Sequence, residues 1–158
     1  MNQPLQTKLE IAGREPFADG VEFGETGPYE WVWGTVTFLV DPLAPVFQNI
    51  VDLDKVPRGD EQQVQYSTEF FLLKPVSPDR GNRRLFFEVG NRGTKLLLNL
   101  VNDSERVEHP KTLAHAGNGF LLRRGYTLAW CAWQGDVLPG DGRMTMTLPL
   151  PMDNGQPI

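Results

Sequence analysis

LFFEVGNRG, residues 85–93, decides how this chain is read. Leu85 to Val89 form a short apolar run, and Gly90, Asn91, Arg92 and Gly93 follow as a glycine-bounded loop. A continuous apolar run that stops at such a loop has the pattern of a buried parallel strand, although periodicity alone does not separate it from a buried helix. Its partner lies downstream in GNGFLLRRGYTLAWCAWQGD, residues 117–136. There Asn118 is a good helix N-cap, Phe120, Leu121 and Leu122 supply an apolar face, Arg123 and Arg124 suit the negative end of the helix dipole, and Gly125 is placed for the turn that ends a helix. Tyr126 to Trp133 is apolar on both faces apart from Thr127. That suits a central strand parallel to the first and reached by a right-handed crossover. Residues 85–134 therefore read as one strand, loop, helix, strand unit.

Upstream of that unit the pattern is antiparallel. In YEWVWGTVTFLV, residues 29–40, Tyr29, Trp31 and Trp33 share one face of a predicted strand and Val32, Val36, Phe38 and Val40 the other, so both sides are expected to be covered. Asp41-Pro42 and Ala44-Pro45 mark turns, NIVDLD (residues 49–54) is expected as an edge strand, and a polar loop runs through Pro57, Gly59 and Asp60. VQYSTEFFLL, residues 64–73, alternates and then becomes wholly apolar, as does an antiparallel strand exposed at its start and buried at its end. Downstream, RMTMTLPL (residues 143–150) alternates like an edge strand, and Asp153-Asn154-Gly155 has hairpin-turn chemistry. The returning arm would begin at Gln156. That short arm, and a two-strand parallel core with one covering helix, lead to the expectation that residues 1–158 are a single N-terminal segment of a longer domain.

Composition narrows the function classes. The chain has 158 residues, 40% hydrophobic and 22% charged, which suits one soluble globular domain. Its 15 basic against 20 acidic residues give a formal net charge of −5, with no cationic excess to neutralise a nucleic acid. Thirteen prolines and sixteen glycines point to many short elements joined by turns. Cys131 is the single cysteine, so neither an internal disulfide nor a thiolate metal cluster is expected, and it reads as an inert core residue. The opening MNQPLQTKLEIAG lacks the cationic tip and apolar core of a signal peptide, so a cytoplasmic location is expected. No apolar stretch approaches the roughly 20 residues of a membrane span.

A hydrolase with a serine on a strained strand-to-helix turn needs G-x-S-x-G, and none of Ser67, Ser77 and Ser104 has glycines at that spacing. Such an enzyme also needs backbone N–H groups aimed at the oxyanion, one of them from the loop after the third main strand. Asn91, Arg92 and Gly93 occupy that place, and an ordinary turn suits the same spacing. A dinucleotide reading of Gly117-Asn118-Gly119, with Asp136 downstream for a ribose, fails because Leu122 stands at the third glycine position and KTLAHA before it is not a strand. His109 and His115 lie in a polar loop without a partner at metal-ligand spacing. Glu88, inside an apolar strand, needs a partner, and Arg83, Arg84 or Arg92 is expected to supply an ion pair. Trp31 and Trp33 could stack on a ring-shaped ligand, but packing under a loop is the simpler reading. No cofactor is expected.

Taken together, GPYEWVWGTVTFLVDP, IVDLD, FFLLKPV, LFFEVGNRG, AGNGFLLRRGYTLAWCAWQGD and the closing DNGQPI resemble the N-terminal part of a bacterial family of α/β-hydrolase domain-containing proteins. The resemblance runs from about Leu9 onward, and EVGNRG and GNGFLLRRGY to WQGD carry it most specifically. It implies an α/β fold class: a partial α/β-hydrolase-like fold, with antiparallel leading strands followed by a strand-loop-helix-strand parallel unit, β-rich as a whole. It places Asn91, Arg92 and Gly93 at the oxyanion loop and Gln134-Gly135-Asp136 in the loop after the fourth strand. Nucleophile, acid and histidine are then expected beyond Ile158. The implied function is the N-terminal portion of a serine hydrolase acting on a small-molecule ester or related acyl bond, silent by itself and completed by the C-terminal remainder of the domain. The alternative is a non-catalytic β-rich binding module that uses the Trp31/Trp33 face or an exposed edge strand.

Overall fold

The computed structural model describes residues 4–59 and 61–158. Three long strands, β1 (Leu5–Pro16), β2 (Tyr29–Val40) and β3 (Val64–Pro75), form an antiparallel meander. Then come β4 (Leu85–Glu88), two short α-helices, α1 (Leu97–Asn102) and α2 (Phe120–Arg123), and β5 (Thr127–Cys131). β5 enters between β3 and β4, antiparallel to the first and parallel to the second, so the spatial order is β1-β2-β3-β5-β4. A two-residue strand, β6 (Met146–Thr147), runs alongside β3. β7 (Met152–Asp153) and β8 (Gln156–Pro157) form a separate hairpin whose turn, Asn154-Gly155, has both φ angles positive (48° and 80°), as the tight hairpin turn requires.

The core lies on the sheet face that carries Tyr29 and Trp31. Trp31, 1% exposed, packs 5.4 Å from Trp130 between ring centroids, with Phe17, Leu73, Leu128 and the helix residues Leu97, Leu98, Leu121 and Leu122 around them. Polar atoms of these aromatics are satisfied: Tyr29 Oη lies 2.9 Å from Leu122 O and 3.0 Å from Tyr126 O, and Trp31 Nε1 donates to Pro110 O at 2.5 Å. Burial pushes the Tyr29 phenol well above its usual range, so it stays a donor at every ordinary pH. Trp31 therefore offers no stacking platform; it joins the sheet to the loop that covers it. Truncating a tryptophan so placed costs about 3–5 kcal/mol.

β1 is an edge strand held by its ladder and not by burial, since Leu5, Leu9 and Ile11 are all exposed. The β1/β2 register slips between Ile11↔Gly34 and Gly13↔Trp33, leaving Ala12 as the extra residue of a bulge. Both glycines there are steric necessities. A Cβ on Gly34 would stand 1.9 Å from Glu10 O, and one on Gly13 would meet the Trp33 ring at 2.4 Å.

The expected α/β-hydrolase-like α/β fold class is corrected by this architecture. Of the described residues 34% are in strands and 19% in helical turns, most of them 3₁₀, with two α-helices, and the sheet is mostly antiparallel. Physically, a parallel α/β layer needs helices long enough to cover the strands on both faces. Here α1 has 6 residues and α2 has 4, and β4 with β5 is the single parallel pair among the described residues. The short helix foreseen after Asn118 is present as Phe120–Arg123, but its N-cap is Gly119, in the left-handed region at φ 66°, and not Asn118. Asn118 Oδ1 still accepts the N–H of Phe120 at 2.9 Å, and Gly125, φ 75°, ends the helix. NIVDLD forms no strand: Asp52 takes φ 58° and a 3₁₀ turn follows at Leu53–Lys55. In RMTMTLPL only Met146–Thr147 pairs, because Met144 turns into the core. Of the polar loop foreseen through Pro57, Gly59 and Asp60, Asp60 lies outside the described residues, as do Met1 to Gln3 of the opening stretch. Among the described residues, no helix is long and apolar enough to cross a membrane.

Candidate functional site

β4 and β5 run parallel, so the loops that follow them leave the same end of the sheet. Those loops are joined by hydrogen bonds at several points. The Arg92 N–H donates to Gln134 Oε1 at 2.6 Å, and the Arg92 guanidinium reaches Asp136 Oδ2 at 2.5 Å and Asp136 O at 3.3 Å. Trp133 Nε1 donates to Gly90 O at 2.6 Å, and Met144 N to Gly93 O at 2.9 Å. The Arg92 guanidinium holds the Asp136 carboxyl below its usual range. Both side chains are largely exposed, so the pair orients the loop and adds little stability.

The turn itself needs its glycine. Arg92 and Gly93 both have positive φ, 54° and 75°, and a Cβ on Gly93 would lie 2.4 Å from Met144 O. Of the three residues foreseen as an oxyanion loop, Arg92 has its N–H engaged by Gln134, and Asn91 O accepts from Thr94 N and Thr94 Oγ1 at 3.1 and 2.7 Å. Neither Asn91 N–H nor Gly93 N–H has an acceptor among the described residues, Asn91 being exposed and Gly93 buried, so these two are the loop donors not already spent.

Below the loop sits Glu88, whose partners are not the arginines foreseen. Its carboxylate accepts from Leu96 N at 2.9 and 3.1 Å, from Leu97 N at 2.8 Å and from Trp130 Nε1. The strand thus presents an anion to the first free N–H groups of α1, where the helix dipole favours one. Lys95, 4% exposed, lies alongside with Nζ donating to Glu108 O at 2.9 Å and Gly142 O at 3.1 Å, 4.3 Å from the Phe71 ring centroid. Burial lowers its pKa to about 8 against the opposing pull of Glu108, Glu69 and Glu88. Glu69 on β3 accepts from Thr145 N at 2.6 Å and Thr145 Oγ1 at 3.0 Å, which holds the segment before β6 against the sheet.

Sequence reasoning missed Lys95. The one signal was a cation at the head of the apolar run LLLNLV, where a solvated lysine would ordinarily be read. His109 stacks on Trp31 at 6.0 Å with its Nε2 3.6 Å from Glu15 Oε1, and burial, then Lys111 and Lys95, lowers its pKa. His115 Nδ1 accepts from Lys111 N and Thr112 N at 2.9 and 3.2 Å, a turn-closing role. Cys131 lies 3.6 Å from Thr68 Oγ1. Gly117-Asn118-Gly119 is closed over by Asn102, fully buried, whose O accepts from Asn118 N at 2.7 Å and whose side chain binds Leu121 N and Ala116 O. A Cβ on Gly117 would meet Asn102 O at 2.1 Å, so its glycine serves packing. Among the described residues no group of three or more His, Cys, Asp and Glu is disposed to hold a metal ion. The chain matches no protein-family model, no curated protein and no solved structure.

Proposed function

We propose that these residues are one part of a hydrolase acting on ester or related acyl bonds, to which they lend an oxyanion-side loop while the nucleophile comes from outside residues 1–158. The observation that carries the reading is the Arg92-Gly93 turn, tied to the neighbouring loop on either side of an uncommitted Gly93 N–H. A rigid donor of this kind stabilises developing charge without reorganising during the reaction. The resemblance of EVGNRG and of the GNGFLLRRGY to WQGD block to hydrolase sequences supports the same reading. On it the substrate is a small-molecule ester, the partner is the remainder of the hydrolase, and the compartment is the cytoplasm.

A second reading, a non-catalytic binding module, is favoured by β4. Among the described residues the strand is paired on one side alone, and its apolar residues stay open, with Leu85 61% and Phe87 49% exposed and Val89 beyond them at 68%. Such an edge accepts a further strand. One experiment separates the two. The source locus is read past the codon for Ile158 and its full product is treated with a fluorophosphonate probe and a p-nitrophenyl ester. The hydrolase reading expects a continuing frame containing G-x-S-x-G, covalent labelling of that serine and ester turnover. A stop codon, or a full product that neither labels nor turns over ester, overturns it in favour of the binding module.

A further inference from the structure

The strongest unassigned feature lies at the opposite end of β5, where the chain enters it. A cleft of about 450 Å³ is lined by Asn82, Arg84, Phe120, Arg124 and Tyr126. That volume lies within the roughly 300–1,000 Å³ of small-molecule sites. Its lining includes two arginines and no acidic residue, in a chain whose formal net charge is −5. The neighbouring arginines are occupied: Arg80 donates to Glu25 O at 2.8 Å, Arg83 lies 3.8 Å from Asp79, and Arg123 donates to Asn118 O. Arg84 and Arg124 have neither a carboxylate partner nor a hydrogen bond from their guanidinium groups among the described residues; Arg124 instead lies over the Phe120 ring, 5.7 Å from its centroid.

The spacing of the two arginines is set by their backbones. Asn82 Oδ1 accepts from Arg84 N at 2.8 Å while Asn82 Nδ2 donates to Arg124 O at 2.6 Å. Asn82 N bonds Gly125 O at 2.9 Å and Thr127 N bonds Arg84 O at 3.0 Å, so the two segments are tied together from both sides. A Cβ on Gly125 would fall 2.8 Å from Asn82 N, which fixes the close approach to a glycine. Apolar walls complete the cleft. Phe120 is exposed, and the Tyr126 ring lies 6.4 Å from that of Phe86, edge to face.

We propose that this cleft binds an aromatic anion, its phosphate or carboxylate held between Arg84 and Arg124 and its ring laid against Phe120 and Tyr126. Guanidinium forks match both anions in plane and charge, and the tied backbones hold the two arginines on adjoining segments. The aromatic walls distinguish such a ligand from a bare inorganic ion, because a ring gains apolar contact that the ion cannot. The site is separate from the 90–93 loop and stands whether or not the chain belongs to a hydrolase.

The test is titration of the 158-residue chain with phenyl phosphate, benzoate and inorganic phosphate, followed calorimetrically and by the arginine side-chain resonances. Saturable binding of at least one aromatic anion is expected, tighter than that of inorganic phosphate and weakened by added salt. Preference between phenyl phosphate and benzoate tells which anion the forks select. R84Q and R124Q should each weaken binding about tenfold, the scale of one charge-assisted hydrogen bond. Phe120→Ala should bring phenyl phosphate down to the affinity of inorganic phosphate. Both arginines are exposed, so R84Q/R124Q is expected to keep the parent melting temperature, which separates lost binding from lost fold. No saturation by either aromatic anion overturns the proposal. So does undiminished binding by the folded R84Q/R124Q protein, or affinity for inorganic phosphate equal to that for the tighter-bound aromatic anion.

Discussion

Replacing Glu88 by glutamine changes one atom and should unsettle the whole β4, α1 and β5 junction. The carboxylate has two acceptor oxygens, shared among Leu96 N, Leu97 N and Trp130 Nε1. A glutamine keeps one of those oxygens and turns an NH₂ toward groups that are themselves donors. Leu97 N and Trp130 Nε1 both use Oε2, so a glutamine oxygen set there keeps them and turns its NH₂ against Leu96 N, while the flipped amide strands two buried donors. Each buried donor left without an acceptor costs about 1–3 kcal/mol, and losing the charge at the start of α1 adds about 0.3–1 kcal/mol. We therefore expect Glu88→Gln to lose about 3 kcal/mol. In a chain of this size that corresponds to a fall of roughly 6–12 °C in melting temperature, read by circular dichroism or calorimetry. Trp130 fluorescence should shift to the red in the folded variant. A double-mutant cycle with Trp130→Phe tests the pair directly, since the two changes should be less than additive if the indole is one of the donors. A Glu88→Gln protein that melts within about 2 °C of the parent would refute the carboxylate's role as the junction's acceptor.

Lys95 sets a pH dependence. Its folded pKa, about 8, lies below the ordinary 10.5, so the unfolded chain binds more protons between those values and stability rises with pH across that window. Lys95→Met should flatten that rise in melting curves taken from pH 7 to 10; parallel curves would count against the burial. Gly34→Ala sets a methyl 1.9 Å from Glu10 O, where both neighbours are backbone, and should cost about 3 kcal/mol or more in chemical denaturation, an unchanged midpoint being the contrary result. Gly93→Ala keeps the N–H but strains a left-handed residue and crowds Met144 O; by shifting that donor it should lower ester turnover in the full hydrolase roughly 10²-fold, and wild-type turnover in a folded variant would remove the loop from the mechanism.

How far the sequence was legible depended on where each side chain's partners lie. β2 and β3 could be read because their alternation reports the two faces of a half-buried sheet, and Leu85 to Glu88 stood out as a bounded apolar run. β1 was passed over although Leu5, Leu9 and Ile11 alternate with Gln6, Lys8 and Glu10; those apolar residues face solvent, and the strand is defined by its ladder to β2. α1 was hidden in an unbroken leucine run whose Leu97 and Leu98 are buried while Leu100 is exposed, a division that only the docked helix reveals. At the site, the Asn91-Arg92-Gly93 turn was visible because turn chemistry is local. The role of Glu88 was misassigned because an arginine nearby in sequence is a more obvious partner than two backbone N–H groups and an indole 42 residues away. Lys95 was missed for the same reason, its acceptors standing 13 and 47 residues downstream.

The order β1-β2-β3-β5-β4 has a consequence for synthesis. Emerging from a ribosome, β1 to β3 can pair as each is made, since each follows its neighbour in the chain. β4 cannot, for the strand that must lie between it and β3 is not complete until Cys131. For the time it takes to add those residues, Leu85, Phe86 and Phe87 have no sheet to join. The β3/β5 ladder closes a span of about sixty residues, a slow step of the kind that exposes a nascent chain to misassembly and to chaperone capture. A pause in translation while residues 127–131 have yet to emerge should therefore lengthen the vulnerable interval, and one after they have emerged should not.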